Sequence, residues 1–274
     1  MAAGQDVMLL SEVIGAFSYA LDLTEGEPPG HAARSCVIGM RLAEELELNA
    51  ATRSDLFYAL LLKDAGCTAN AARMAALFGA DDHVVKHSAK RVDWSGSFSA
   101  LVWSVRSVAP GQGMRARFDR LLAIKDEGEV TRSLMEARCE RGAEIALMVG
   151  LTERTADAIR TLDEHWDGHG QPRGLAGDEI PLLGRILCLA QTVEIFHAAG
   201  GIEGAYGVAD RRSGRWFDPE LVTALDVIRG DRAFWRGVAT GAPPRWRPAE
   251  RTLSGDDEQV DRIAHAFAGV IDAK

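Results

Sequence analysis

The sequence predicts an all-α fold, and three observations predict it. Apolar residues recur at helical spacing along most of the chain, strand alternation is almost absent, and glycine or proline breaks separate the periodic runs. With 274 residues and 47% hydrophobic content the chain can bury a full core, near the size at which one core still suffices.

Taken in order, Leu9, Leu10, Val13, Ile14, Phe17, Ala20 and Leu21 predict a first helix over 8–23, stopped by Gly26, Pro28, Pro29 and Gly30. Ile38, Met40, Leu42, Ala43 and Leu46 carry a second helix from about His31 to Leu48. A third runs from about Thr52 through Leu56, Leu60 and Leu62 to the Ala65-Gly66 break. Further helical patterns cover 71–78, 100–108, 114–124, 130–148, 155–165 and 182–198. Asp218-Pro219-Glu220 reads as an N-cap, a first-turn proline and a dipole-favoured acid that open one more helix.

Residues 242–253, with Pro243, Pro244 and Pro248, read as a linker between a main body over 1–241 and a terminal helix over 254–274 capped near Ser254. Ala266-Phe267 and Ile271-Asp272 repeat the spacing of Ala16-Phe17 and Leu21-Asp22 in the first helix. Chance similarity between amphipathic helices and the opening of a second, similar unit are both open readings of that match.

A formal charge of -9 without any basic stripe excludes a duplex-coating nucleic-acid protein, because phosphate binding needs clustered Lys and Arg. Cys36, Cys67, Cys139 and Cys188 are scattered and fit no zinc pattern, so free thiols in a reducing cytosol are expected. No basic n-region opens the chain and no apolar run reads as long enough to cross a bilayer, so a soluble, cytoplasmic protein is expected.

The run Asp163-Glu164-His165-Trp166-Asp167-Gly168-His169-Gly170-Gln171-Pro172, followed by Gly174-Leu175, Gly177 and Ile180-Pro181, has no regular period. It predicts a shaped loop, with glycines for backbone freedom, prolines for stiffness and Trp166 as an anchor. Trp166, Asp167, Gly168, Gly170, Gln171 and Pro172 form its candidate partner surface. This run resembles the signature of the HD-GYP family, the bacterial metal-dependent phosphodiesterases of cyclic di-GMP. The resemblance covers 20–67 and 130–222, so it implies an HD-like helical bundle enlarged by an extra helical segment over about 70–123.

The resemblance also implies a metal shell, and each of its positions can be inspected. His31, after Gly30, stands where the family has its first histidine, with Glu27 in an extra carboxylate position. The His-Asp pair appears as Lys63-Asp64, followed by Ala65-Gly66-Cys67. Arg138 replaces a histidine four residues before Gly142, Leu162 and Asp163 replace paired histidines, Gln171 replaces the tyrosine of the Gly-Tyr-Pro turn, and Gln191 replaces a late aspartate.

Two functional readings follow. In the first the domain is catalytically degenerate, expects no metal or other cofactor, and serves a regulatory, scaffolding or nucleotide-sensing role in cyclic di-GMP signalling. Lys63 and Arg138 then either form salt bridges inside the hollow or, with Asp163 and Gln191, bind a cyclic dinucleotide. Its candidate partners are a second HD-GYP unit, another signalling domain or a second copy in a homodimer, and the chain reads as the N-terminal half of a tandem protein. In the second reading the domain is a phosphodiesterase with an altered shell of His31, Asp64, Asp163 and Glu27 holding Fe or Mn, and Asp64 and Glu164 are its candidate catalytic carboxylates.

The remaining histidines read more plainly. His83 and His87 share a solvated polar face with Asp81, Asp82 and Lys86, His165 and His169 are exposed near the loop, and His197 and His265 pack in apolar helices. Trp216, Phe217, Trp235 and Trp246 are expected in the core or in domain packing.

Overall fold

Helical periodicity becomes a bundle built around one long apolar helix. The structure is a computed structural model that describes residues 8–67, 128–249, 252–253 and 258–272. The expected extra segment over 70–123, its helices, His83, His87 and the cap near Ser254 lie outside the described residues.

A two-residue strand β1 (Met8–Leu9) leads into α1 (Leu10–Thr24), followed by α2 (His31–Glu45) and α3 (Ala50–Leu62). Then come α4 (Gly128–Met148), α5 (Glu153–Arg160), α6 (Leu182–Arg212), α7 (Pro219–Val227), α8 (Arg232–Thr240), strand β2 (Thr252–Leu253) and α9 (Glu258–Asp272). The only sheet among the described residues is the antiparallel pair of β1 with β2, with Met8 opposite Leu253. An all-α fold is therefore what the chain has.

Local chemistry sets the boundaries. Asn49, Thr152, Asp218 and Asp231 accept backbone N–H groups of α3, α5, α7 and α8, satisfying donors that have no partner within the helix. Sequence periodicity missed α8, although Asp231 as its N-cap and Gly241, at φ 72° as its C-cap, frame it. Helix α5 ends at Arg160, earlier than expected, because Thr161 and the signature loop take over its last turn. Helix α6 runs past the expected Ala198 to Arg212, broken at Gly200 and Gly201, where φ reaches 62° at Gly201.

Helix α6 packs against α2, α3, α5 and α7, burying Leu183, Ile186, Leu187, Ala190 and Val193. Among the described residues it is the one helix whose length and composition would suffice to cross a bilayer, which corrects the expectation of no such run. Its apolar surface is spent on the protein core instead.

Residues 242–249 carry no regular element, in keeping with their prolines. The terminal helix α9 nevertheless joins the main core. Ile263, Ala266 and Val270, on one face, are buried, Phe267 stacks on Phe17, and Gln259 Nε2 donates to the Val149 carbonyl at 2.9 Å.

Candidate functional site

Six segments bring polar side chains to one buried place between α1, α2, α3, α4, α5 and α6. His31 is the first residue of α2, Lys63 and Asp64 follow α3, Glu194 lies on α6, and Asp22 comes from the end of α1. All five are nearly inaccessible to solvent. Arg138 of α4 and Asp163 after α5 close the outer side.

The start of α2 explains why the chain folds this way. Gly30 stands at the N-cap with φ 82° and offers no side chain to the helix. Asp22 supplies the missing cap from α1, its Oδ1 accepting the Ala32 N–H at 3.3 Å where the helix dipole favours an anion. Its Oδ2 is buried and, among the described residues, has no hydrogen-bond partner. Burial pushes the Asp22 carboxyl above its ordinary value, Lys63 opposes that shift, and Asp64 adds to it.

His31 is held from both sides. Nδ1 lies 2.5 Å from Glu194 Oε2, and Nε2 lies 2.9 Å from Lys63 Nζ. An ammonium can only donate, so Nε2 accepts and the ring proton sits on Nδ1, donated to Glu194. Glu194 is also paired with Arg34 Nε at 2.6 Å. Burial alone would raise the Glu194 carboxyl, but the hydrogen bond from His31 and the charge and hydrogen bond of Arg34 outweigh it and hold it below the ordinary carboxylate range.

Lys63 Nζ also pairs with Asp64 Oδ2, so one ammonium bridges imidazole and carboxylate. The chain of polar contacts continues outward. Cys67 Sγ lies 3.8 Å from Asp64 Oδ1, Arg138 Nη1 lies 3.7 Å from Cys67 Sγ, and Arg138 forms a salt bridge with Asp163. Cys139 Sγ also reaches Asp163, at 3.7 Å.

The donor set, as arranged, does not fit a resident divalent ion. His31 Nε2 and Asp64 Oδ2 stand 3.8 Å apart, a separation that one shared cation could span, and the Lys63 ammonium already spans it. Asp163 is committed to a permanently charged guanidinium. Among the described residues no group of three or more His, Cys, Asp or Glu side chains is arranged to hold a metal.

Of the residues singled out from sequence, His31, Lys63, Asp64, Arg138 and Asp163 thus form one connected chain. Gln191 is buried on α6, one turn before Glu194, and Glu27 is buried in the turn before His31. Glu194, Asp22 and Arg34 escaped sequence reasoning. Glu194 and Asp22 had a signal: each is an acid set among the apolar positions of a core helix, where an unpaired charge would be costly.

Glu164 is directed elsewhere. Its carboxylate is 1% exposed, and Oε1 and Oε2 accept the N–H groups of Arg173 at 2.7 Å and Leu175 at 3.0 Å. It therefore clasps the signature loop from within. Trp166 N–H donates to the Trp216 carbonyl and Asp167 N–H to the Arg215 carbonyl, while Arg132 of α4 reaches the Pro172 carbonyl at 2.5 Å. His165 stacks on Trp216 with ring centroids 4.1 Å apart, and Arg212 lies 3.7 Å from the Trp216 centroid. Gly170 leaves no room for a Cβ, which would fall 2.1 Å from the His165 nitrogen. His169 is exposed.

Comparison with known proteins adds a second line of observation. Residues 121–221 match the family described as HD domain. The chain is 38% identical over 279 residues, covering all of itself and 60% of the relative, to 3'3'-cGAMP-specific phosphodiesterase 3 of Vibrio cholerae. It is 31% identical over 101 residues, 34% of this chain and 19% of the relative, to 3'3'-cGAMP-specific phosphodiesterase 2 of the same organism. A crystal structure of a cyclic GMP-AMP specific phosphodiesterase of V. cholerae superposes with a TM-score of 0.73 at 33% identity, covering 98% of this chain and 61% of that one. The chain thus spans about three-fifths of the length of its first curated relative.

Proposed function

Because this chain is an HD-domain protein homologous to the V. cholerae cGAMP-specific phosphodiesterases, we propose that it is a non-hydrolytic HD unit regulating or scaffolding cyclic-dinucleotide breakdown. One observation carries the non-hydrolytic part: the Lys63 ammonium sits between His31 and Asp64, where two-metal phosphodiester chemistry would need a divalent ion. A fixed ammonium there neutralises charge, but it cannot exchange, coordinate a phosphoryl oxygen as a Lewis acid or generate hydroxide.

The signalling nucleotide is proposed at the level of its class, a cyclic dinucleotide. The relatives are named for 3'3'-cGAMP, so the narrower expectation of cyclic di-GMP has no support beyond the resemblance of the signature loop. The relatives are also longer than the aligned region, which supports an active unit as the partner of this one. The signature loop, clasped by Glu164 and framed by Trp166 and Trp216, offers a preformed surface for that partner. A phosphate contact by Lys63 would have to break its bonds to His31 and Asp64 in a dry site, so we assign Lys63 to cohesion rather than to ligand capture. Four free, buried thiols support a cytoplasmic setting.

Hydrolysis by this domain itself, with Fe or Mn on His31, Asp64, Asp163 and Glu27, is favoured by the homology alone. Metal analysis and turnover separate the two readings. We expect purified chain to carry no stoichiometric Fe or Mn and to leave 3'3'-cGAMP and cyclic di-GMP intact. Metal-dependent turnover of either nucleotide, lost in His31→Ala, would overturn the non-hydrolytic reading.

A further inference from the structure

Helices α1 and α9 meet as equivalents. Phe17 and Phe267 hold the same place in the spacing that the two helices share, and they stack on each other. A residue in contact with its own counterpart marks an isologous, two-fold contact. The strands that precede the two helices, β1 and β2, pair antiparallel, as the same local two-fold requires.

The two helices nevertheless bury opposite faces. On α1, Ile14, Phe17 and Ser18 face this core, whereas their counterparts on α9 are exposed Ala264, part-buried Phe267 and exposed Ala268. On α9, Ala266 and Val270 face this core, whereas their counterparts on α1, Ala16 and Ala20, are exposed. Tyr19 and Leu23 lie beside them, 52% and 55% exposed. Ala16, Tyr19, Ala20 and Leu23 recur at helical spacing, so they form one apolar face rather than scattered exposed side chains. The bundle covers this face on α9 and leaves its equivalent on α1 open.

We propose that the open faces of α1 and α9 seat a second HD-like unit, placed by the local two-fold so that α9 serves it as α1 serves this one. In return α1 packs on that unit as α9 packs here. This deepens the reading above of an HD unit as partner and rests on it, with the α1 face rather than the signature loop carrying most of the contact. Two observations choose the occupant. The 279 residues aligned with the first relative are 60% of it, so about two fifths of that protein, enough for a further domain, lies outside the match. A second copy of this chain does not fit the same position, because Phe267 already occupies the stacking place on Phe17. The seat on the partner is therefore apolar, with close helix approach over Ala16 and Ala20 and recesses for Tyr19 and Leu23.

The test joins the part of V. cholerae phosphodiesterase 3 outside the match after Lys274, and compares this longer chain with the 274-residue chain by maleimide labelling of Leu23→Cys. Cys36, Cys67, Cys139 and Cys188 are buried, so their background reaction is low. Val227→Cys in α7, where the native side chain is 66% exposed, is the control. Leu23→Cys should react about tenfold more slowly in the longer chain, and Val227→Cys equally in both. Tyr19→Asp should leave the Tm of the 274-residue chain within about a degree and lower that of the longer chain by several degrees. Equal labelling of Leu23→Cys in both chains, with amide protection gained at the signature loop instead, overturns this surface while the partner reading stands. No protection anywhere on this unit overturns both. Leu23→Cys already protected in a 274-residue chain that runs as a dimer assigns the face to a second copy and overturns the proposal. Should the longer chain not fold, the two parts are co-expressed as separate chains, and failure to co-purify overturns the proposal.

Discussion

Phe267 of the terminal helix stacks on Phe17 of the first helix, with ring centroids 3.5 Å apart and planes 7° from parallel. Two segments some 250 residues apart in sequence are thereby joined in one core, next to buried Ile263, Ala266 and Val270. Phe267→Ala should cost about 2–3 kcal/mol, less than a fully buried ring because Phe267 keeps part of its surface in solvent. Urea unfolding is the measurement, and a single lowered transition is expected. A separate early transition for the terminal helix would show that it is not part of the core's cooperative unit.

Glu164→Gln should loosen the signature loop without unfolding the bundle. The carboxylate accepts two backbone N–H groups, and the amide replaces one acceptor with a donor that faces an N–H. The local cost is about 1–3 kcal/mol. Faster amide exchange at Arg173 and Leu175, with helix α6 still protected, is the expected result.

Glu194 makes stability pH-dependent in a defined direction. Its folded-state pKa lies below the ordinary 4.5, so its contribution is fully present above that value and is lost as pH falls through the lower, folded-state value. Thermal unfolding of wild type should therefore decline in acid. Glu194→Gln should be less stable at neutral pH by about 2–4 kcal/mol, because His31 and Arg34 lose their anion, and should show a shallower acid decline. An unchanged acid profile in the variant would assign the decline to other carboxylates.

Gly66→Ala should be among the more damaging single substitutions in the chain. A Cβ at Gly66 would fall 1.9 Å from the Arg138 carbonyl oxygen and 2.7 Å from the Gly142 nitrogen, so α4 would have to move. We expect a loss of about 3 kcal/mol by denaturant unfolding, at the upper end of the usual overpacking range. Because Arg138 rides on the same turn, the shift should also disturb its salt bridge to Asp163.

Much of this protein was legible as sequence because helices, caps and breaks are local. The period of Leu10, Ile14, Phe17 and Leu21, the proline after Asp218 and the glycines around Trp166 each act within a few residues, so reading them needs no partner. His31, Lys63, Asp64, Arg138 and Asp163 were marked differently, by the resemblance of the signature loop to the HD-GYP family and the positions that resemblance implies. Which charge meets which was decided only by packing. Lys63 lies 32 residues from His31 and Glu194 lies 163, and nothing in the one-dimensional pattern ranks those pairings above others. Desolvation does the ranking, since a buried ammonium or carboxylate must find its counter-charge in the hollow where the helices place it. For the same reason Glu164, adjacent to Asp163, faces the loop while Asp163 faces Arg138: consecutive residues leaving a helix point apart, and only the surrounding fold supplies each with its partner.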